Sequence, residues 1–246
     1  VITSLFSPLA SATISQPDIG AKNKPLLHIR GLTFKDLNQD GKLNPYEDWR
    51  LTPQQRAQDL VKRMTLAEKA GLMMHGSAPS PGSVIGAGTV YDLPAAQKMI
   101  VQQQVRSLIT RLSGRNPQQM AQENNKLQQI AESSRLGIPL TISSDPRNSF
   151  EYLTGASVDA GLFSKWPETL GIAAAGDESL ARQYGDIIRQ GYRAVGMNEA
   201  LSPQADIATE PRWPRINGTF GEDAELTKRM VRGYITGIQH GTQGVG

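Results

Sequence analysis

Between residues 105 and 240 the hydrophobic pattern alternates between strand-like and helix-like periods, and this limits the fold more than any other feature of the sequence. Val105 to Leu112 is a short strand-like run, with Val105, Leu108, Ile109 and Leu112 apolar. Asn116-Pro117 then opens a helix, a capping residue followed by proline at the first helical position. That helix carries Met120, Leu127, Ile130 and Ala131 and ends at Leu136-Gly137. Ile138 to Ile142 reads as a second strand, followed by a long loop reaching about Glu168. Asp177 to Val195 has helical period, with Leu180, Tyr184, Ile187, Ile188 and Val195 on one face. Glu199 to Ile207 reads as a third extended segment. Thr219-Phe-Gly-Glu222 reads as a capping box before a helix bearing Leu226, Met230, Tyr234 and Ile238.

Strands and helices alternating at this spacing predict a parallel α/β sheet. No G-x-G-x-x-G follows a strand, so a dinucleotide-binding fold lacks its fingerprint. The expected fold class is therefore α/β, a partial (β/α)8 TIM-like barrel. A complete barrel takes roughly 250 residues, and only about three units fit after residue 100. The sequence is thus expected to stop within the barrel, at Gly241 to Gly246.

Three segments organise the chain. Residues 1–12 are apolar or small, and Ala10-Ser11-Ala12 fits a small-x-small cleavage site. They read as a signal-peptide remnant, with a mature start near Thr13 and export to the periplasm or beyond; a plain chain terminus is the other reading. Residues 13–51 form an N-terminal arm, extended over 13–33 and a polar loop from Lys35 to Trp49. Residues 52–246 are the first part of the barrel domain. They start with a helix at Thr52-Pro53 whose apolar stripe is Ala57, Leu60, Val61 and Met64. Thr65-Leu-Ala-Glu68 is a capping box, and residues 76–89, rich in Gly, Pro and Ser, read as a loop.

Composition removes several function classes. The net charge is +3 with no dense Lys/Arg block, which argues against nucleic acid. There is no cysteine, hence no disulfide, thiolate metal site or cysteine nucleophile. No apolar run approaches the roughly 20 residues of a membrane span. His28, His75 and His240 have no metal-ligand spacing and are expected to be packing or surface residues. Trp49, Trp166 and Trp213 are expected to anchor core or loops, with Trp213 a candidate wall of a ligand pocket.

Three motifs carry chemistry. Asp36-Leu-Asn38-Gln-Asp40-Gly41-Lys42-Leu-Asn-Pro-Tyr-Glu47 satisfies D-x-[DN]-x-[DN]-G-x5-E at every position. Side-chain oxygens of Asp36, Asn38, Asp40 and Glu47, with the Lys42 carbonyl, would surround a structural Ca2+ in an EF-hand-like loop. A single copy without a good helix before it points to a clip, and an acidic Asx-turn loop is the simpler alternative. Second, Gly137-Ile-Pro-Leu-Thr-Ile-Ser-Ser-Asp145-Pro-Arg147 puts a carboxylate just past a strand end, where barrels build their sites. Ordinary turn chemistry explains an Asp-Pro pair equally well. Third, Asp206-Ile-Ala-Thr-Glu210-Pro-Arg212-Trp-Pro-Arg215 places two arginines on a proline-stiffened loop. An arginine fork can donate to sugar hydroxyls or carboxylates, but Arg212 more simply pairs with a nearby acid.

Pro211-Arg-Trp-Pro-Arg-Ile-Asn-Gly-Thr-Phe-Gly-Glu-Asp223 resembles the Pro-Arg-Trp-Gly-Arg…Phe-Gly-Glu-Asp signature of family 3 glycoside hydrolases, with Pro214 where glycine is usual. Leu136 to Asp145, Asp40-Gly…Tyr46-Glu-Asp-Trp49 and Arg63-Met-Thr-Leu-Ala-Glu-Lys69 are similar to further family segments, so the likeness spans residues 32–246. The resemblance implies a barrel-like first domain, an α/β second domain and retaining hydrolysis of β-linked glucosides or oligosaccharides. β-Xylosidase and exo-glucanase specificities stay open, and β-N-acetylhexosaminidase fits less well because that branch usually lacks the arginine motif. By the same resemblance Asp145 and Arg215, with Arg212 as a lesser candidate, bind the non-reducing-end sugar. The Lys-His pair, nucleophile and acid/base residue have no match here, so no catalytic residue is assigned to this chain. No organic cofactor is implied, and a homodimer of the whole enzyme is compatible. The reading from another class is a calcium-dependent carbohydrate- or protein-binding module without catalysis.

Overall fold

The computed structural model describes residues 15–113 and 116–240. The expected signal-peptide remnant and the glycine-rich end lie outside the described residues. The chain forms two compact units, Val1–Arg63 and Met64–Gly246.

In the first unit the expected extended arm contains a hairpin, β1 (Leu26–Ile29) and β2 (Leu32–Lys35), paired antiparallel. Its two-residue turn is Arg30-Gly31, with φ of 50° and 79°. Both values are left-handed, as the tight hairpin turn matching strand twist requires. Phe34 is buried and stacks on Trp49 at 5.3 Å between ring centroids, while the Trp49 Nε1–H donates to the Thr33 carbonyl at 2.9 Å. Helix α1 (Pro53–Arg63) forms as expected, but none of its residues is buried, so the stripe through Ala57, Leu60 and Val61 is not a core face. The helix is held through Tyr46 instead. Arg56 Nε donates to the Tyr46 carbonyl at 3.1 Å, the Tyr46 N–H donates to Asp59 at 3.3 Å, and Arg63 lies 5.6 Å over the Tyr46 ring. These ties carry the first unit through to Arg63.

The second unit opens with α2 (Leu66–Leu72), whose capping box is complete: Thr65 accepts from Glu68 N–H and Glu68 accepts from Thr65 N–H. A parallel sheet follows, built from β3 (His75–Ser77), β4 (Ala87–Gly88), β5 (Ser107–Leu112), β6 (Thr141–Ser144) and β7 (Glu199–Ala200). Its order is β3-β5-β6-β7, with β4 also pairing β5. Helices α3 (Leu93–Gln97), α4 (Pro117–Glu132), α5 (Thr169–Ala174), α6 (Glu178–Ala194) and α7 (Ala224–Ile238) complete the unit, and α3 runs on into a π-helical turn. This is the expected parallel α/β arrangement.

Several boundaries differ from the sequence reading. Strands β3 and β4 occupy the supposed loop 76–89, too short to show a period. β6 starts three residues late, after Gly137 (φ 59°) and Pro139. β7 stops before the expected run ends, because Pro203 has no N–H to continue a ladder. The box expected at Thr219 is absent: Asp223 is the cap of α7, accepting from Leu226 N–H at 2.6 Å, while Thr219 bonds within its own turn.

Side chains alternate across the sheet. Leu108, Leu112 and Ile142 point to one face and join the core with Met120, Leu127 and Ala131 of α4. Helices α6 and α7 pack backbone to backbone. A Cβ on Gly185 would sit 2.3 Å from the Tyr234 carbonyl oxygen, and one on Gly237 would sit 2.1 Å from that of Arg182.

Candidate functional site

Registry puts His75, Ser77, Ile109, Arg111, Ser143, Asp145 and Glu199 on the sheet face opposite the core residues Leu108 and Ile142. Contacts confirm it. His75 Nε2 meets Ser143 Oγ at 2.7 Å across β5, and Arg111 reaches Asp145 on one side and Ser77 on the other. Most side chains on this face are polar, whereas Leu108, Leu112 and Ile142 on the other enter the core, so the candidate site is sought on this side of the sheet.

Asp145 follows the last residue of β6, at the carboxyl edge of the parallel strands. Its Oδ2 accepts from Arg111 Nε at 3.1 Å, and the two side chains are 13% and 17% exposed. Arg111 Nη1 also donates to Ser77 Oγ at 2.9 Å and to the Ile85 carbonyl at 3.1 Å. The guanidinium is thereby fixed to β3 and the following loop while it holds Asp145. Among the described residues, no group donates to Asp145 Oδ1.

The backbone beneath Asp145 is equally fixed. Its carbonyl accepts from Ser144 Oγ at 2.8 Å and from the Tyr192 hydroxyl at 3.0 Å. Burial holds the Tyr192 phenol above its ordinary range, so it stays a donor. Arg147 is 1% exposed. It donates to Ser144 Oγ at 2.9 Å, the Leu112 carbonyl at 3.0 Å and the Thr110 carbonyl at 3.3 Å, and its guanidinium carbon lies 5.4 Å from the centroid of the Phe163 ring. Burial pulls its pKa below the usual arginine value. Its bonds to the Thr110 and Leu112 carbonyls of β5 and to Ser144 of β6 tie the ends of the two strands together, which fixes the turn that presents Asp145.

Arg215 lies on the loop after β7 and is exposed, with Nη2 donating to Gln204 Oε1 at 3.2 Å. A small cavity of about 50 Å³ is lined by Pro146, Ser149, Glu168, Gln204 and Arg215 among others, so it joins the Asp145 turn to the Arg215 loop. Burial raises the Glu168 carboxyl against the opposing hydrogen bond from Ser149, and Gln204 Nε2 is buried without a partner. Among the described residues, no hydrogen bond or ion pair joins Asp145 to Arg215. Arg212 makes a bidentate pair with Glu210 at 2.8 and 2.9 Å, which draws the Glu210 carboxyl down to about 2. A larger concavity of about 710 Å³, beside β7 between α6 and α7, is lined by none of the residues nominated from sequence.

In the first unit, the calcium-type loop is tied together by hydrogen bonds among its own residues. Asp36 accepts from Asp40 and Gly41 N–H at 3.0 and 2.9 Å. Glu47 accepts from Leu37, Asn38 and Asn44 N–H at 2.7, 3.2 and 2.9 Å. The Asn38 amide donates to Asp40 Oδ2 at 3.1 Å. The Asn44 amide nitrogen donates to Asp40 Oδ2, the Lys42 carbonyl and Glu47 Oε2 at 2.9, 3.3 and 3.3 Å. Three of the nominated ligand oxygens thus converge on one point, which an amide nitrogen fills. Hydrogen bonds from Asn44, then Lys42, hold Asp40 below its ordinary pKa. Among the described residues, no group of three or more His, Cys, Asp or Glu is placed to hold a metal ion.

Sequence reasoning missed Arg111, Tyr192 and the role of Arg147. The one trace of Arg111 in the sequence is a charge inside the otherwise uncharged strand Ser-Leu-Ile-Thr-Arg-Leu.

A parallel sheet flanked by helices, with an acid at its carboxyl edge, defines an α/β domain, an architecture in which strand ends are where ligand sites are commonly built. The chain belongs to glycosyl hydrolase family 3: residues 65–245 match the profile of that family's N-terminal domain. It is 70% identical over 241 residues, 98% of this chain and 37% of the other, to a periplasmic beta-glucosidase/beta-xylosidase of Dickeya chrysanthemi. A beta-glucosidase C of Emericella nidulans is 42% identical over 75% of this chain and 29% of its own length. Among solved structures, a family 3 beta-N-acetylglucosaminidase from Paenibacillus sp. is 29% identical with a TM-score of 0.52, covering 72% of this chain and 31% of that one. The chain therefore spans about a third of the length of these relatives. No described helix is long and apolar enough to cross a membrane.

Proposed function

We propose that the whole protein of which this chain is part hydrolyses terminal non-reducing β-D-glucosyl residues, and β-xylosyl residues, with retention. The observation that carries the reading is the Asp145 carboxylate at the end of β6, tied through Oδ2 and open at Oδ1, in a chain of this family. A carboxylate so placed accepts hydroxyl hydrogen bonds and orients a sugar ring. It does no covalent work. Retention needs a nucleophile and an acid/base carboxyl roughly 5 Å apart. Glu210 is engaged by Arg212 and Asp223 caps α7, which supports leaving both out of those roles. Arg215 binds the same sugar from the neighbouring loop. The sheet is the opening portion of a (β/α)8 barrel, and export to the periplasm or beyond belongs to the same reading. Proton NMR of the full-length protein acting on aryl β-glucoside and β-xyloside tests it. β-Anomers should form first; α-anomers, or no turnover, would reject the proposal.

The loop from Asp36 to Glu47 is proposed to take a structural Ca2+. The convergence of Asp40, Lys42 and Glu47 oxygens on the Asn44 amide supports this, since rotation of Asn44 frees them together. The ion would clip the loop and take no part in hydrolysis. The alternative of a calcium-dependent binding module has no support in residues 65–245, which match the hydrolase family.

A further inference from the structure

We propose that Arg111 is a positioning residue for sugar binding, acting through Asp145; this rests on the glycosidase reading above. An aspartate side chain has two torsions, and at a strand end its carboxylate could face several ways. Here one oxygen is committed. Arg111 Nε takes Asp145 Oδ2 at 3.1 Å, and Nη1 of the same rigid guanidinium is held by Ser77 Oγ at 2.9 Å and the Ile85 carbonyl at 3.1 Å. The planar fork transmits the position of β3 and its loop to the carboxylate. Oδ1, to which no described group donates, is left as the acceptor for ligand hydroxyls. Burial of both side chains, 17% and 13% exposed, keeps the pair from being screened away.

The alternatives make different claims. A residue that only braced the fold would not need to sit on the polar face, where Arg111 shares a side with Ser77, Ser143 and Asp145. Bracing of the β5–β6 edge is already supplied by Arg147, whose contacts lie with Thr110, Leu112 and Ser144. A residue that touched the sugar itself would not need Asp145 to act. For Arg111 as inferred, the effect must vanish once Asp145 can no longer bind.

The test is a double-mutant cycle in the full-length enzyme with R111Q, R111K, D145N and both double variants, measured on an aryl β-glucoside alongside thermal melts. R111Q should lower kcat/KM on the order of ten- to a hundredfold, the scale of a misplaced binding group. R111K should fall between R111Q and wild type, because an ammonium supplies the charge without the fork. In the D145N background either Arg111 substitution should cost less than about twofold, as expected for residues acting as one unit. Losses that multiply in the double variants would overturn the inference in favour of direct sugar contact or bracing. So would wild-type kcat/KM in R111Q. If R111Q does not fold, the R111K arm decides by the same rule. A strong D145N defect with an unaffected Arg111 series rejects this inference and leaves the functional reading standing. Near-normal D145N, or an inert wild type, rejects both.

Discussion

Replacing Asp145 by alanine in the full-length enzyme should cost about a thousandfold in kcat/KM. The carboxylate keeps Oδ1 entirely, and the second lone pair of Oδ2, after its bond to Arg111, so it can accept two sugar hydroxyls. Each charge-assisted hydrogen bond is worth roughly 1.5–3 kcal/mol, hence about 3–6 kcal/mol for two. At about 1.4 kcal/mol per tenfold, that spans on the order of 10² to 10⁴ in rate. The full loss appears in kcat only for contacts that tighten in the transition state. The substitution also leaves Arg111 largely buried without its carboxylate, so the melting temperature should drop. Steady-state kinetics and melts on D145A and D145N separate the two effects. Asn keeps an acceptor for Arg111 and should restore much of the stability but little of the activity. Near-normal kcat/KM in D145A would mean that Asp145 is turn chemistry and that no sugar binds there. In the same assays R215A should lose activity on a similar scale, whereas R212K should stay near wild type because Arg212 is exposed and paired with Glu210.

The 246-residue chain by itself should show no turnover of aryl β-glucosides, since binding contacts at Asp145 and Arg215 cannot open a glycosidic bond; measurable turnover would refute this. Calcium should bind the Asp36–Glu47 loop at up to millimolar concentration in isothermal titration and raise the melting temperature by mass action, and E47Q should abolish both effects. E68A should destabilise the full-length protein by about 1–2 kcal/mol in denaturant titration, from the lost cap and a half-exposed Arg135 pair. Burial pushes the Glu68 carboxyl up, but hydrogen bonds from Arg135 and Thr65 outweigh it and hold it below its ordinary range. Its contribution is therefore present above the unfolded pKa and fades as pH falls through the folded one, so wild type and E68Q should converge in acid. G237A should destabilise by roughly 1–3 kcal/mol or more, because its methyl would meet the Arg182 carbonyl oxygen at 2.1 Å; an unchanged denaturation midpoint would contradict the close α6–α7 packing.

The sequence alone determined the elements whose signal is local. The amphipathic period of α4, α6 and α7 picks out their core-facing side, including Met120, Leu127, Tyr184, Ile188, Met230 and Tyr234, and Asn116 and Thr65 cap where short polar side chains can reach free N–H groups. The family followed from contiguous motifs, and Asp145 from its place beyond an apolar run. What tertiary structure decided is everything that depends on registry. Strands β3 and β4 are too short to carry a period and exist only because β5 offers a paired edge. The pairing of Arg111 with Asp145, 34 residues apart, requires β5 and β6 to be adjacent, parallel and in a register that puts both side chains on one face. Burial of Arg147 is invisible from its neighbours, because the carbonyls that hold it belong to another strand. Local sequence sets which backbone conformation each segment prefers; only the assembled sheet sets which distant side chains share a face, and the Arg111–Asp145 pair of the candidate site is one of these.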